Sequence, residues 1–241
     1  MKRALPEVAA MTSRLRLFPL NAVLFPGSVL NLHVFEERYK RMISECVAGG
    51  EGFGVALIAE GAEAGDVDVI PRHVGCVAEI VGVTALTQGR SYVTAVGRDR
   101  FRIDEIVARR PFLIGEVRSI GDELGDGIQA VDDECSRVRV LFEEYVRMAD
   151  DLPDTGLVAA VPDDATEASF FIADALSATA HVKQRLLELP TTKERLLAER
   201  HLLQTALPEL RSTRDKRPPE PAGDAFRRDQ ERYFGKYFSR S

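Results

Sequence analysis

The sequence predicts an α+β protein in which an amino-terminal β-barrel lobe carrying one helix is followed by a helical lobe. From Leu15 to about Ile120, short runs of β-branched residues are punctuated by Gly, Pro and Asp, the pattern of short strands and tight turns. Only Glu36 to Val47 has helical spacing in that stretch. The helix-length crossovers of a parallel sheet are therefore mostly missing, and five or six strands are better closed into a full or partial barrel than laid out doubly wound. From about Ile128 the apolar period changes to 3.6. The expected divisions are 14–122 for the β-rich lobe, 128–210 for the helical lobe, and 211–241 for a linker and tail.

Along the first lobe, Pro19 and Pro26 mark edges or bends where no ladder N–H is required, and Gly27 permits a turn. Phe25, Phe35 and Tyr39 bring large apolar area to a strand-to-helix junction, worth roughly 1.5 to 3 kcal/mol each when fully buried. The helix places Tyr39, Met42, Ile43, Cys46 and Val47 on one stripe, pairs Glu36 with Lys40 and Glu37 with Arg41 at i,i+4, and stops at Gly49-Gly50. Phe53 to Gly61 reads as a buried strand and turn. GCVAEIVGVTAL and YVTAVGRDRFRIDEIV read as a long hairpin across Thr87 to Arg90, and Phe112 to Ile120 is the last strand.

In the second lobe Val131, Cys135, Val138, Leu141, Phe142 and Tyr145 form one stripe. Asp150 to Pro162 is a loop, and Asp163 or Asp164 caps the helix that carries Phe170, Phe171 and Leu176. After HVKQRLLEL, Pro190 breaks the chain, Thr191-x-x-Glu194 has the capping-box pattern, and Pro208 is expected to end the last helix. Arg211 to Gly223 is rich in Pro and charge. The final FRRDQERYFGKYFSRS suits either a small amphipathic helix or a loose tail.

A composition of 45% hydrophobic and 29% charged residues is that of an ordinary globular protein, and no stretch approaches the roughly 20 apolar residues that span a bilayer. Charges interrupt any signal-peptide core near the start, so a cytoplasmic location is expected. Three cysteines without a CxxC pair read as small buried hydrophobes. A net charge of −6 repels polyanions, which makes nucleic acid a disfavoured partner.

Motifs that would carry chemistry are missing. There is no GxxxxGK[ST] loop, no GxSxG elbow and no HExxH, and the four histidines do not cluster with cysteine. The run Gly49 to Gly54 follows a helix and precedes a strand, the reverse of a dinucleotide fingerprint. Neither cofactor, metal nor catalytic residue is expected, and the acidic pairs beside helix starts read as caps. His33, in an alternating strand, has no catalytic task. The concentrated basic feature is Arg98, Arg100 and Arg102, which by alternation project from one strand face, where they could line a groove for an acidic ligand or form surface ion pairs.

The segment LRLFPLNAVLFPGSVLNLHVFEERYKRMI, Leu15 to Ile43, resembles the opening of Lon substrate-binding domains, especially the free-standing members of that family. FGVALI, GCVAEIVGV, the Gly89-Arg90 hairpin, VGRDRFRI and the helices ADALSATAHVKQRLLEL and ERLLAERHLL are similar to its later elements, so the resemblance runs from about Arg14 to Leu210. It implies a PUA-like β-barrel lobe joined to a helical lobe, engaging unfolded or extended polypeptides or a protease or chaperone partner. The ATPase and Ser-Lys peptidase of Lon are not implied. Most side chains of the first segment are expected to maintain the fold. Only a minority of that segment is expected to face a ligand, and Phe25, Phe35, Tyr39, Arg98, Arg100 and Arg102 are the candidate polypeptide contacts. RNA binding, known for PUA-like barrels, and a small-molecule pocket are the alternative readings.

Overall fold

The computed structural model describes residues 12–63, 65, 68–149 and 156–215. The expected linker and tail lie outside them apart from 211–215, as does part of the loop expected after Asp150. The chain is α+β: among the described residues, six strands and one α-helix are followed by four α-helices. The strands are β1 (Ser13–Leu20), β2 (Val29–Val34), β3 (Phe53–Glu60), β4 (Ile70–Ala85), β5 (Ser91–Ala108) and β6 (Leu113–Ile120), with α1 (Glu37–Gly49) between β2 and β3. The helical lobe holds α2 (Ile128–Met148), α3 (Ala165–Ala175), α4 (Ala180–Glu188) and α5 (Thr192–Asp215).

The sheet runs β2-β5-β4-β3-β1-β6, and a further pairing of β5 with β6 closes five strands into a barrel. Strand β5 is long enough to serve two neighbours on one side. Its first half pairs with β2, Val34↔Ser91 to Val29↔Val96, and its second half with β6, Arg100↔Ile120 to Ala108↔Ile114. β2 is thereby left as an edge strand outside the closed ring. The parallel pair of the described strands, β1 with β3, has α1 in its crossover, as a parallel connection requires.

Helix α1 buries Tyr39, Met42, Ile43 and Cys46, while Val47 turns outward. Gly50 ends it with φ +63°, a left-handed cap that favours glycine. The ion pairs differ from the i,i+4 expectation. Glu36 is the N-cap with extended backbone and takes Arg38 (2.9 Å), so Lys40 turns to Glu37 (2.7 Å) and Arg41 to Glu45 (2.8 Å). Asp164 caps α3, accepting the backbone N–H groups of Thr166 and Glu167 at 2.9 Å. Glu194 N–H donates to Thr191 Oγ1 at 3.2 Å as the capping pattern predicts, while the Glu194 carboxylate accepts from the Thr191 hydroxyl at 3.1 Å. Pro208 does not end α5, which continues to Asp215. A proline removes one intrahelical N–H, but Pro208 lies on the exposed side while Leu203 and Leu207 are buried, and Arg211 beyond it pairs with Glu144 of α2.

The two lobes are locked together. Phe25, on the loop between β1 and β2, sits fully buried in the helical-lobe core, its ring 6.3 Å from Phe170. Gln184 Nε2 donates to the carbonyl of Val74 at 2.9 Å. Arg100 of β5 donates to the carbonyls of Leu187 (2.7 Å), Leu189 (2.6 Å) and Gly121 (3.1 Å) and pairs with Asp122 (2.8 Å). Arg195 of α5 shares Asp122 (3.3 Å), donates to Ser169 Oγ (2.7 Å) and stacks 3.6 Å from the Phe170 ring centroid.

One turn along α5, Glu199 is fully buried with no hydrogen-bond partner on either carboxylate oxygen among the described residues. Burial pushes its carboxyl well above the usual value of 4.5, opposed in part by Arg195. The folded chain therefore holds this proton more tightly than the unfolded one. The associated stability is full below pH 4.5 and falls as pH rises toward the folded pKa. Glu199→Gln, which mimics the protonated acid, is expected to flatten that decline and raise the Tm at pH 8. Thermal unfolding measured from pH 5 to pH 8 checks this, and parallel curves for the two proteins would count against it.

Candidate polypeptide-binding site

Three of the six candidate contacts are interior, so they cannot meet a ligand at the surface. Phe25 fills the helical-lobe core, and Tyr39 stacks on Phe18 with ring centroids 3.9 Å apart, burial pushing its phenol up to about 12. Arg100 is 1% exposed. The arginines also fail to share a strand face. Between the pairs Ala78↔Gly97 and Cys76↔Arg100, β5 carries one residue more than β4, and this β-bulge reverses the alternation. Arg98 therefore pairs with Glu79 in solvent, whereas Arg100 points under the helical lobe; Arg102 is exposed.

Phe35 alone of the aromatic candidates stays at the surface, 53% exposed at the end of β2. Around it lies a row that the sequence reading did not single out: Val29 (63%) and His33 on β2, with Tyr92 (54%) on β5. The pairing His33↔Tyr92 places these side chains side by side. The imidazole centroid is 5.1 Å from the Tyr92 ring and 5.7 Å from the Phe35 ring. A signal was present in Val29 to Phe35, where apolar residues occupy both parities. Leu32 and Val34 face the core, yet Val29 and Phe35 face water with His33 between them.

The backbone of β2 adds a second feature. Gly97 N–H donates to Ser28 O at 2.9 Å while Gly97 O accepts from Gly27 N–H at 2.9 Å, a bulged start to the ladder in which the Ser28 carbonyl points toward β5. Antiparallel pairs alternate between bonded and non-bonded. Leu30, Leu32 and Val34 then direct their N–H and C=O toward β5, and Val29, Asn31 and His33 direct theirs away from it. No second strand pairs with β2 among the described residues. The residues with outward side chains are therefore also the ones whose backbone groups line the open edge.

Elsewhere a shallow groove between α1 and the β4–β5 hairpin is lined by Ile43, Val47, Ala48 and Val83, with Lys40 at its rim. The Lys40 ammonium is engaged by Glu37 and by Gln88 O at 3.1 Å, and Ser44, Gly89 and Ser91 complete the lining. The Cys46, Cys76 and Cys135 thiols are pushed up by burial, Cys76 to about 12, and so are poor nucleophiles near neutral pH. Among the described residues, no group of three His, Cys, Asp or Glu side chains is placed to hold a metal ion, and no helix is long and apolar enough to cross a membrane.

The family described as the ATP-dependent protease La (LON) substrate-binding domain matches residues 14–205. The chain is 28% identical over 214 residues to a Lon protease of Flavobacterium johnsoniae, covering 83% of this chain and 25% of that protein. It is 30% identical over 191 residues to Lon protease 2 of Herpetosiphon aurantiacus, covering 78% and 23%. The chain thus spans about a quarter of the length of these curated relatives. Among solved structures, a Lon N-terminal domain protein from Xanthomonas campestris superposes with TM-score 0.56 at 26% identity, over 80% of this chain and 98% of that one. The N-terminal domain of a Mycobacterium avium complex Lon protease gives TM-score 0.63 over the same shares; at 16% identity it speaks to the fold.

Proposed function

Since the chain belongs to the family of Lon substrate-binding domains, we propose that it is a non-catalytic module that holds unfolded or extended polypeptides, working in cytoplasmic protein quality control beside a protease or chaperone. The observation that carries this reading is the exposed cluster of His33, Phe35 and Tyr92, with Val29 further along the same face beyond Asn31, on an open strand edge. Clustered exposed apolar side chains are often a functional surface, whereas single ones need no explanation. The raised thiols and the internal use of Arg100 and Arg195 fit a scaffold with no reaction to perform. RNA binding is less well supported, because Arg98 is paired with Glu79, Arg100 is buried, and the net charge is −6.

The test uses the purified chain and a permanently unfolded probe, reduced and carboxymethylated α-lactalbumin, followed by fluorescence anisotropy. Saturable binding is expected, with no need for ATP and no cleavage of the probe. A folded protein, judged by circular dichroism, that leaves the anisotropy unchanged would remove the proposal.

A further inference from the structure

Resting on that reading, we infer that the bound polypeptide is taken up as an added β-strand along β2, its side chains alternating against Val29, Asn31, His33 and Phe35, with the Tyr92 ring of β5 behind His33. Strand addition needs a row of unpaired backbone groups and pockets or platforms for every second side chain. β2 supplies both on the same residues, since the outward backbone of Val29, Asn31 and His33 accompanies their outward side chains.

Edge strands are normally blunted by lysine, inward charge or proline. Residues 29–35, Val-Leu-Asn-Leu-His-Val-Phe, contain none of these. The size of the patch argues for a peptide over a second copy of this chain. With about half of each aromatic side chain and most of Val29 in water, the row offers on the order of 300 Å² of apolar surface. A standard interface between folded proteins takes roughly 800 Å² from each partner. Six residues of strand match a segment of similar length in the ligand.

Charge narrows the ligand further. The chain as a whole carries −6, which favours a ligand without acidic flanks. The segment that fits is apolar at alternate positions and neutral or basic at its ends. A one-residue slip would turn its apolar face to water, so the pairing has a defined phase.

The experiment compares a fluorescein-labelled, lysine-flanked decapeptide alternating valine or phenylalanine with threonine against two versions N-methylated at every second residue in opposite phases. One phase is expected to lose about tenfold or more in affinity and the other to bind nearly as the parent, because only alternate N–H groups face β2. The Phe35→Ser/Tyr92→Ser double variant should lose a similar factor. Asn31→Pro removes an outward N–H while sparing the backbone bonds of the β2–β5 ladder, losing only the exposed Thr94 Oγ1–H to Asn31 Oδ1 bond (3.0 Å), and should weaken binding with an unchanged circular dichroism spectrum. Equal effects of both methylation phases would overturn the inference. So would carboxymethylated α-lactalbumin that binds without competition from the decapeptide and without regard to Phe35 and Tyr92; in that case polypeptide binding itself stands. A dimer in sedimentation that dissociates on Phe35→Ser would hand the edge to a second copy instead. If neither probe binds, the functional reading falls together with the inference.

Discussion

Gly97→Ala is expected to remove most of the folded protein, a loss of at least ~3 kcal/mol for the addition of one methyl group. A Cβ at this position would lie 2.1 Å from the carbonyl oxygen of Phe25 and 3.2 Å from Cys76 Sγ. The nearer obstacle is backbone, which cannot rotate aside. It is also backbone already committed, because Ser28 N–H donates to Phe25 O at 3.1 Å, and the same turn is tied to Gly97 by Gly27 N–H to Gly97 O and Gly97 N–H to Ser28 O, both at 2.9 Å. Relief of the clash would lift the loop that carries Phe25 into the helical-lobe core, so strain at one strand position would reach both lobes. Gly82→Ala is the control. Its added Cβ would find nothing nearer than Thr94 Cβ at 3.9 Å, and its effect is expected to stay within about 0.5 kcal/mol. Urea unfolding of the two variants separates these outcomes, and similar midpoints would show that the loop can give way.

Arg100→Leu is expected to cost roughly 3 to 5 kcal/mol. The guanidinium holds three carbonyls and one carboxylate, and its side chain has no exposure to solvent. Two of those carbonyls, Leu187 and Leu189, belong to the end of α4, where a cation satisfies groups that the helix itself leaves open. Leucine would refill much of the volume but leave the acceptors buried and unpaired, each at about 1 to 3 kcal/mol. Asp122 would keep Arg195, which moderates the loss. Lysine should rescue little, since one ammonium on a thinner stem cannot reproduce a planar fork reaching several acceptors. Denaturant titration of Arg100→Leu, Arg100→Lys and Asp122→Asn tests this. A loss below about 1 kcal/mol for the first would mean that water replaces the guanidinium at the lobe junction.

Much of the local structure was legible because its causes are local. The α1 stripe of Tyr39, Met42, Ile43 and Cys46, its stop at Gly50, the Asp164 cap and the Thr191–Glu194 pair each depend on residues within one or two helical turns, and the structure places them as periodicity and capping predict. Pro208 shows where this ends. Its local effect is to break a helix, and the packing of α5 on α2 through Leu203 and Leu207 outweighs it.

The candidate site was legible only in part, because exposure is a property of what lies on the other side. Phe25, Phe35 and Tyr39 look alike in sequence, yet one enters the helical core, one stacks on Phe18 and one faces water. His33 and Tyr92 are 59 positions apart and become neighbours only through the β2–β5 register. A single extra residue in β5 separates Arg98 from Arg100, and nothing in the alternating string of arginines marks it.

The order and kind of the elements, the absence of familiar catalytic motifs, and membership of the Lon substrate-binding family were within reach of the amino-acid sequence, since side-chain period, turn chemistry and motif spacing are written along the chain. Which strand was left at the edge, which aromatic residues met solvent and which arginine became a lock between lobes were decided by the tertiary structure. Those outcomes depend on barrel closure and lobe docking, which join residues far apart in the chain and bury one face of a strand while leaving its neighbour open.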